Sequence, residues 1–244
     1  MISTMIKRLF DFTVSALCLV LFSPLFLIIY ISLKMSSKAP AIFKQERIGK
    51  GGKPFNIYKF RTMVVNDENN GTPMLAEPDD ERLTKIGKFL RAHHLDELPQ
   101  LWNVLRGDMS FIGPRPERQY FINLIMEKDP RYVELYKIRP GVTSYATLYN
   151  GYTGTLEKML RRLELDLYYL EHQSWRFDLQ ILAKTFFCIA FGKKFNLKQV
   201  FYSNISAQRM NFATPSRPNL ARLCAACSTV STRSGFDFEK NLSA

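Results

Sequence analysis

One stretch of the sequence restricts the fold of this chain more than any other: the apolar run of residues 9–33, in which Asp11 is the only charged residue. At a rise of about 1.5 Å per residue, a straight helix of this length is long enough to cross a bilayer. Ser23-Pro24 lies in the middle of the run, and proline removes a helical hydrogen bond and clashes with the preceding turn. Because a serine hydroxyl can bond to the carbonyl that is left free, we predict a sharp kink at this pair.

The charges that flank the run bear on how it meets a membrane. Basic residues stand on both sides of it: Lys7, Arg8, Lys34, Lys38 and Lys44. This distribution indicates that both ends remain cytoplasmic. Each half is then too short to cross, so we expect a re-entrant hairpin in one leaflet, with Ser23, Pro24, Lys7 and Arg8 as its insertion residues. An ordinary transmembrane anchor is an equally good interpretation of the pattern, whereas the length of the run disfavours a secretory signal peptide.

The charge of the chain restricts its ligands. Thirty-four Lys and Arg residues stand against 22 Asp and Glu residues, a formal net charge of +12. This excess favours anions such as lipid headgroups, small phosphorylated substrates or nucleic acid. No recognisable nucleic-acid-binding motif accompanies the charge, so nucleic acid is not expected as a partner. Cys224 and Cys227 form a CxxC, but the second half of a zinc site is missing from the sequence, and no zinc site is predicted.

Beyond residue 36 the patterns predict a β-hairpin followed by helices. Residues 40–63 carry two apolar strands around the turn GKGGKP, and residues 64–80 are polar and typical of a surface loop. Apolar residues recur at helical spacing over 81–91, 118–128, 157–170 and 179–191. The last of these fits either a helix at a membrane interface or a core helix. The periodicity fades beyond about residue 200, which indicates a disordered tail.

Residues 94–116 hold the candidate chemistry. Asp96 and Glu97 are adjacent carboxylates, and Pro99 follows them. Because proline is tolerated only in the first turn of a helix, the helix should begin near Leu95 or Asp96. Both carboxylates then lie at a helix N-terminus, where ionised acids and anionic ligands are favoured.

An arginine loop completes this stretch. The prolines on either side of Arg115 stiffen its backbone, and arginine presents a planar, permanently charged fork to phosphate oxygens. Gly107 is suited to end the preceding helix, and apolar spacing places Trp102 on the packed face of that helix. An acid pair at a helix start is usually a cap, and Pro-Arg-Pro is usually a rigid turn. Their combination indicates chemistry on a phosphate.

Several motifs then occur in an order that resembles one protein family. They are KRLFDF before the apolar run, SP within it, FKQERIGKGGKPFNIYKFRTM, LDELPQLWNVLRGDMSFIGPRP, IRPGVT and ELDLYYL. Over about residues 5–195 the chain thereby resembles the bacterial sugar transferases, the monotopic phosphoglycosyl transferases that start lipid-linked glycan assembly. The family pattern usually continues with Gly-Trp where this chain has Ser144-Tyr145, and usually has Thr or Ser at the position of His94.

The resemblance implies a transfer in two steps. Asp96 would attack the sugar-bearing phosphate of a UDP-sugar and displace UMP, and the phosphosugar would then pass from Asp96 to undecaprenyl phosphate. Glu97 would help to hold Mg²⁺, while Arg91 and Arg115 would contact phosphates. The resemblance also implies that the broken apolar segment is a re-entrant membrane helix. Further candidate phosphate-binding residues are Lys59, Arg61 and Arg139.

These inferences combine into one expected architecture. We expect an α+β, helix-rich, membrane-associated fold with a small β-hairpin and an N-terminal helix broken at Ser-Pro. The expected parts are a re-entrant helix-break-helix over 1–36, a catalytic domain with interfacial helices over 37–200, and a disordered tail over 201–244.

The expected partners are a UDP-sugar, a polyprenyl phosphate and anionic lipids, at the cytoplasmic face of the bacterial inner membrane. A homo-oligomer is compatible with the sequence. The alternative from a different class is a non-catalytic basic scaffold that binds anionic lipids at the membrane surface.

Overall fold

The structure is a computed structural model that describes residues 2–64, 80–150 and 153–191. Within these ranges the chain forms eight α-helices and two small sheets, in agreement with the expected α+β class. Most of the loop predicted over 64–80 lies outside the described residues. The tail predicted over 201–244 lies outside them entirely, and so does its CxxC.

The apolar run forms two helices that meet at a bend. Helix α1 spans Ile2–Leu21 and α2 spans Ser23–Ser36, with an angle of 61° at the break. The Ser23 hydroxyl donates to the Val20 carbonyl at 2.8 Å, and Pro24 stands in the first turn of α2, where its missing N–H costs no bond. The predicted break is therefore confirmed.

The bent pair α1 and α2 is called here the elbow. Its bend of 61° fits either a broken membrane span or a re-entrant loop, so both expected arrangements stay open. Among the described residues, each helix taken singly is too short or too polar to cross a membrane, although the bent pair together has the required length and composition. Insertion of the pair in a membrane stays a prediction.

The elbow packs against the rest of the chain and also exposes apolar surface. Asp11 and Ser15 of α1 are buried, and Asp11 Oδ1 accepts the backbone N–H of Phe111 at 3.2 Å. Ile29 and Leu33 of α2 enter a buried cluster with Ala41, Phe60 and Leu90. Exposed apolar side chains of the elbow include Leu9, Leu17, Val20, Leu21, Leu27 and Ile28. An exposed apolar patch of this kind marks an interaction surface, and a membrane-inserted helix pair requires one.

Strands β1 (Ile42–Ile48) and β2 (Pro54–Phe60) form the predicted antiparallel hairpin. The turn runs through Lys50–Gly52, where two glycines adopt φ values of 70° and 71° that a Cβ would strain. Arg47 pairs with Phe55 across the hairpin. Since residues two apart on a strand share a face, this register places Arg47 and Lys59 on the same face of the hairpin.

The helices after the hairpin follow the prediction with shifted ends. Helix α3 spans Lys85–Ala92 and begins after Thr84, whose Oγ1 accepts the Gly87 N–H at 2.9 Å. The predicted start at Glu81 was therefore too early. The later helices are α5 (Gln119–Lys128), α6 (Tyr145–Asn150), α7 (Leu156–Glu171) and α8 (Trp175–Phe191). Of these, α6 was not predicted.

A short parallel strand pair was also not predicted. Strands β3 (Ser110–Ile112) and β4 (Gly141–Thr143) have three residues each, too few to show an alternating pattern. The main apolar cluster lies between α5, α7 and the 3₁₀ segment Pro130–Lys137. Its most buried members are Ile122, Ile125 and Leu163.

Helix α8 buries only part of its apolar surface. Asp178 and Ile181 are buried against the domain. Large apolar side chains are exposed at Leu179, Phe186, Phe187 and Ile189. A core helix would bury these groups, so the exposed side of α8 favours the interfacial alternative.

Candidate active site

Asp96 and Glu97 lie in the 3₁₀ turn Leu95–Glu97, which leads into helix α4 (Gln100–Arg106). Helical backbone does begin at Leu95, as predicted. The prediction that the acids begin an α-helix is wrong, because α4 starts only after Pro99. The two carboxylates thus occupy a tight turn before the helix, where successive side chains project in different directions.

Glu97 is neutralised by two cations. Its Oε1 lies 2.6 Å from Lys59 Nζ on β2 and 3.8 Å from an Arg115 guanidinium nitrogen. Burial alone would raise the pKa of Glu97, but the charges of Lys59 and Arg115 outweigh it and hold the pKa at about 2. Glu97 is therefore an ionised, firmly held carboxylate at any physiological pH.

Asp96 has a different environment although it is the neighbouring residue. Its side chain is 7% exposed, and within residues 2–64, 80–150 and 153–191 no hydrogen bond or ion pair engages its carboxylate. Burial raises the pKa of Asp96, while the charge of Lys59 opposes that rise. A carboxylate that is poorly solvated and not engaged is suited to nucleophilic attack. The turn thus gives the two acids different environments.

A buried asparagine holds the hairpin against this turn. Asn103 of α4 is fully buried, accepts the Tyr58 N–H at 3.1 Å and donates to the Asn56 carbonyl at 2.7 Å. These two bonds fix strand β2 beside α4 and so place Lys59 next to Glu97. Because Asn103 occupies the inner face of α4, Trp102 points outward and is 49% exposed. The prediction that Trp102 packs inside is wrong for this reason.

A polar pocket adjoins Glu97. Its lining residues are Arg47, Ile57, Lys59, Gln100, Arg115, Pro116 and Gly141. Three of these side chains are cationic, so the local charge favours an anionic group. Arg47 was not among the predicted site residues. Its position on the same hairpin face as Lys59, readable from the two-residue period of strands, was the available signal.

The other candidate phosphate ligands divide into two groups. Arg91 donates to Thr62 Oγ1 at 3.1 Å, and its charge lowers the pKa of Asp96, so it lies near the acid pair. Arg61 donates instead to the Pro40 carbonyl at 2.7 Å, and Arg139 to the Gly107 carbonyl at 2.9 Å. The structure thus brings Lys59, Arg91 and Arg115 to the acid pair, while Arg61 and Arg139 are held by backbone groups elsewhere. Substrate contacts of all five stay predictions.

The basic residues that precede the apolar run bind the protein itself. Lys7 Nζ donates to Asp178 Oδ2 at 2.8 Å, to Tyr169 Oη at 2.9 Å and to the Ile112 carbonyl at 2.9 Å. The Arg8 guanidinium donates to the Val104 and Leu105 carbonyls at 2.6 and 2.7 Å, at the C-terminal end of α4. Flanking charge alone did not predict this role. Through it, the elbow is fastened directly to the helix that follows Asp96.

The acidic side chains of the site bear on whether it can hold Mg²⁺. Within the described part of the chain, no group of three or more His, Cys, Asp or Glu side chains could hold a metal ion. Mg²⁺ needs fewer protein ligands when a substrate supplies phosphate oxygens, since it commonly binds through one or two carboxylates plus phosphates and water. Glu97 provides such a carboxylate, so the residues fit a metal that arrives with a diphosphate.

The two departures from the family pattern have structural explanations. Tyr145 is buried and packs against Tyr149 and Phe177 with ring centroids 4.8 and 5.2 Å away, and Ser144 Oγ accepts the Thr147 N–H at 2.9 Å at the start of α6. This pair therefore serves packing and capping. His94 adopts a left-handed φ of 55°, which turns the chain out of α3 toward Asp96.

The chain is similar in sequence to several known sugar-phosphate transferases. The chain is 44% identical over 188 residues to the UDP-glucose:undecaprenyl-phosphate glucose-1-phosphate transferase of Klebsiella pneumoniae, which covers 76% of this chain and 40% of the relative. It is 40% identical over 187 residues to the UDP-N-acetylgalactosamine-undecaprenyl-phosphate N-acetylgalactosaminephosphotransferase of Aeromonas hydrophila, covering 77% of this chain and 44% of the relative. A glucose-1-phosphate transferase of Caulobacter vibrioides is 42% identical over 182 residues, or 73% of this chain and 67% of the relative.

The chain therefore spans less than half the length of the Klebsiella and Aeromonas relatives. A family described as bacterial sugar transferase matches residues 2–192, a range that contains the elbow, the hairpin, the acid pair and the arginine loop. Since that match covers most of the 244 residues, the chain belongs to the bacterial sugar transferase family.

Proposed function

We propose that this protein transfers a sugar-1-phosphate from a UDP-sugar to a membrane polyprenyl phosphate such as undecaprenyl phosphate, with release of UMP. This would be the first membrane step of lipid-linked glycan assembly. One observation carries the proposal: the Asp96 carboxylate is left available within the described residues, while the adjacent Glu97 is neutralised by Lys59 and Arg115. The names of the relatives, which specify UDP-glucose or UDP-N-acetylgalactosamine and undecaprenyl phosphate, support the same substrate classes.

The proposed reaction has two displacements at phosphorus. A carboxylate oxygen of Asp96 attacks the sugar-bearing phosphorus, the bond to the bridging oxygen breaks, and that oxygen leaves as part of UMP. A phosphate oxygen of the polyprenyl phosphate then attacks the same phosphorus and expels the Asp96 carboxylate. Covalent catalysis of this kind lets two bulky substrates use one site in turn. Lys59, Arg91 and Arg115 counter the phosphate charge that would otherwise repel the attacking carboxylate.

Mg²⁺ is the proposed cofactor, with Glu97 as its protein ligand. Bound beside a diphosphate, a divalent cation supplies Lewis-acid charge neutralisation. Lys59 and Arg115 engage Glu97 Oε1, which leaves the second carboxylate oxygen for a metal. Omission of Mg²⁺ and addition of a chelator should abolish UMP release, and restored Mg²⁺ should recover it. Undiminished turnover in the chelator would refute this part of the proposal.

Location at the cytoplasmic face of the bacterial inner membrane is part of the same proposal. The acceptor is an amphiphile whose phosphate lies at the headgroup level, so an enzyme held at that level needs no search through three dimensions. The apolar surfaces of the elbow and of α8 support such a placement. Lys7 and Arg8 fasten the elbow to the domain that carries Asp96.

The test is UMP release by the purified full chain with undecaprenyl phosphate, Mg²⁺ and a panel of UDP-sugars. Asp96→Asn should reduce turnover by at least about 1,000-fold, since it removes the nucleophile. Glu164→Gln, which removes an acid of a surface ion pair on α7, is the control and should keep near-normal activity. Full activity in Asp96→Asn would refute the nucleophile assignment. Vesicle binding without turnover of any UDP-sugar would favour the scaffold alternative, which no specific structural observation supports.

A further inference from the structure

The loop that carries Arg115 is fastened at both ends by backbone bonds. The Gly141 N–H donates to the Pro114 carbonyl at 2.9 Å, and the Ile48 N–H donates to the Glu117 carbonyl at 3.0 Å. Strands β4 and β1 therefore hold the two sides of the loop. Proline lacks an N–H, so Arg115 has the one backbone donor of the Pro-Arg-Pro triplet.

A buried carboxylate at the end of the loop bridges two arginines. Glu117 Oε2 lies 3.3 Å from Arg47 on β1, and Glu117 Oε1 pairs with Arg162 on α7. Arg47 also reaches the Pro116 carbonyl at 3.5 Å. Glu117 and Arg162 are each 6% exposed. These three side chains, called here the Arg47–Glu117–Arg162 clamp, join the hairpin and α7 through the loop.

Such a clamp is a costly way to stabilise a fold. Each buried charge loses its hydration, and an apolar replacement of the same volume is often as stable as a buried ion triad. Stability alone therefore does not explain why these charges are buried behind the arginine loop. Fixed geometry at the neighbouring site is an alternative explanation.

A second buried acid lies behind the same loop. Asp166, one turn beyond Arg162 on α7, is 2% exposed, and within the described ranges its Oδ1 has no hydrogen-bond partner. Burial raises the pKa of Asp166 to about 7, against the lowering effects of the Arg162 charge and of the Arg115 backbone N–H, which this carboxylate faces. Helix α7 thus meets both Glu117 and the peptide group of Arg115.

The side chain of Arg115 itself is loosely held. It is 40% exposed, and its contact with Glu97 is long, at 3.8 Å. A long arginine side chain has much rotational freedom to lose on binding. The position of its backbone must then set where the guanidinium can reach, and small errors in such placement reduce catalysis strongly.

We propose that Glu117 and Arg162 are positioning residues, which act through the Pro114–Pro116 loop to hold Arg115 against the diphosphate of the donor. This inference rests on the proposed function, because it assumes that Arg115 binds a phosphate. Neither residue needs to touch substrate. Arg47 differs, since it lines the anion pocket directly and belongs to both the clamp and the pocket.

A double-mutant cycle separates this role from a merely structural one. If Glu117 acts through Arg115, replacing Glu117 should reduce UDP binding only slightly in a chain that already lacks the Arg115 side chain. If Glu117 only supports the fold, replacing it should reduce UDP binding by the same factor in the wild-type chain and in Arg115→Ala. The two explanations also differ kinetically: misplaced Arg115 raises KM for the UDP-sugar, whereas partial unfolding lowers apparent kcat and leaves KM unchanged.

The experiment measures binding of UDP, as a nucleoside diphosphate probe, to the purified full chain by calorimetry. Glu117→Gln should weaken UDP binding by about tenfold in the wild-type background and by less than about twofold in Arg115→Ala. Arg162→Met should behave like Glu117→Gln, and Arg162→Lys should recover part of the loss. Glu164→Gln is the matched control: Glu164 lies on α7, as Arg162 does, but it pairs at the surface with Arg131 of the 3₁₀ segment, so its loss should leave UDP binding unchanged.

Each outcome decides the question. Equal losses of UDP affinity in both backgrounds would refute the positioning role of Glu117 and Arg162. A wild-type chain that binds no UDP would refute it too. If Glu117→Gln does not fold, as thermal unfolding will show, the comparison of Arg162→Lys with Arg162→Met in the two backgrounds replaces it. A non-additive cycle in a chain that releases no UMP would support the positioning role and refute the proposed function. An additive cycle in a chain that releases UMP would support the proposed function and refute the positioning role.

Discussion

Lys59 Nζ lies 2.6 Å from Glu97 Oε1, and this ion pair joins the second strand of the hairpin to the turn that carries both acids. The contact neutralises Glu97 and, together with Arg115, holds its pKa at about 2. The charge of Lys59 also lowers the pKa of Asp96 against the effect of burial. One lysine therefore favours the ionised form of both carboxylates.

Loss of this lysine should disable the site. We expect Lys59→Met to reduce kcat/KM for UMP release by about 100-fold, because Glu97 keeps its burial but loses its closest counter-charge, and the pocket loses one of its cations. The measurement is the initial rate with a UDP-sugar and undecaprenyl phosphate. Lys44→Met, an exposed position on the same hairpin, is the control and should retain activity. Equal rates in the two variants would contradict the assigned role.

The inner face of α4 gives a stability prediction. Asn103→Leu should lower the free energy of unfolding by about 2–3 kcal/mol, since it leaves the Tyr58 N–H and the Asn56 carbonyl without their present partner. Trp102→Ala, one residue away, should cost less than about 1 kcal/mol because Trp102 is half exposed. Denaturant unfolding in detergent would measure both. A larger loss of unfolding free energy for Trp102→Ala would indicate that this ring packs inside the protein.

Some features of the fold follow from local chemistry and others depend on distant partners. The break at Ser23-Pro24 and the glycine turn of the hairpin were predictable because proline and glycine restrict their own backbone. The start of α4 and the outward position of Trp102 were not, because Asn103 bonds to a strand more than forty residues earlier. The acid pair was found by residue type, whereas the clamp was missed because Glu117 and Arg162 meet only after the chain folds.

Asp166 gives a pH-dependent prediction. Burial raises its pKa from an ordinary value of 3.8 to about 7 in the folded protein. Between about pH 4 and pH 7 the folded state keeps a proton that the unfolded state has lost. The contribution of Asp166 to the free energy of unfolding should therefore fall as pH rises through this window, by up to about 1.4 kcal/mol per pH unit, and level off above pH 7.

Asp166→Asn removes this titratable group and tests whether the contribution of Asp166 to the free energy of unfolding falls as pH rises. Relative to wild type, the variant should gain stability progressively from pH 5 to pH 7 in denaturant unfolding. Asp108→Asn, at a more exposed acid, should show no such trend. A wild-type advantage that grows with pH would contradict a raised pKa for Asp166.

The last prediction concerns the topology of the elbow. Lys7 and Arg8 fasten the start of α1 to α4 and α8, and α2 ends at Ser36 only a few residues before β1 of the same domain. Both ends of the elbow are therefore tied to the body that carries Asp96, which is difficult to reconcile with ends on opposite sides of a bilayer. In a chain whose native cysteines are replaced by serine, Ser3→Cys and Ser37→Cys should both react with an impermeant maleimide in inverted inner-membrane vesicles. Neither should react in intact spheroplasts. Labelling of the two positions from opposite sides would identify the pair as a transmembrane anchor and refute the re-entrant arrangement.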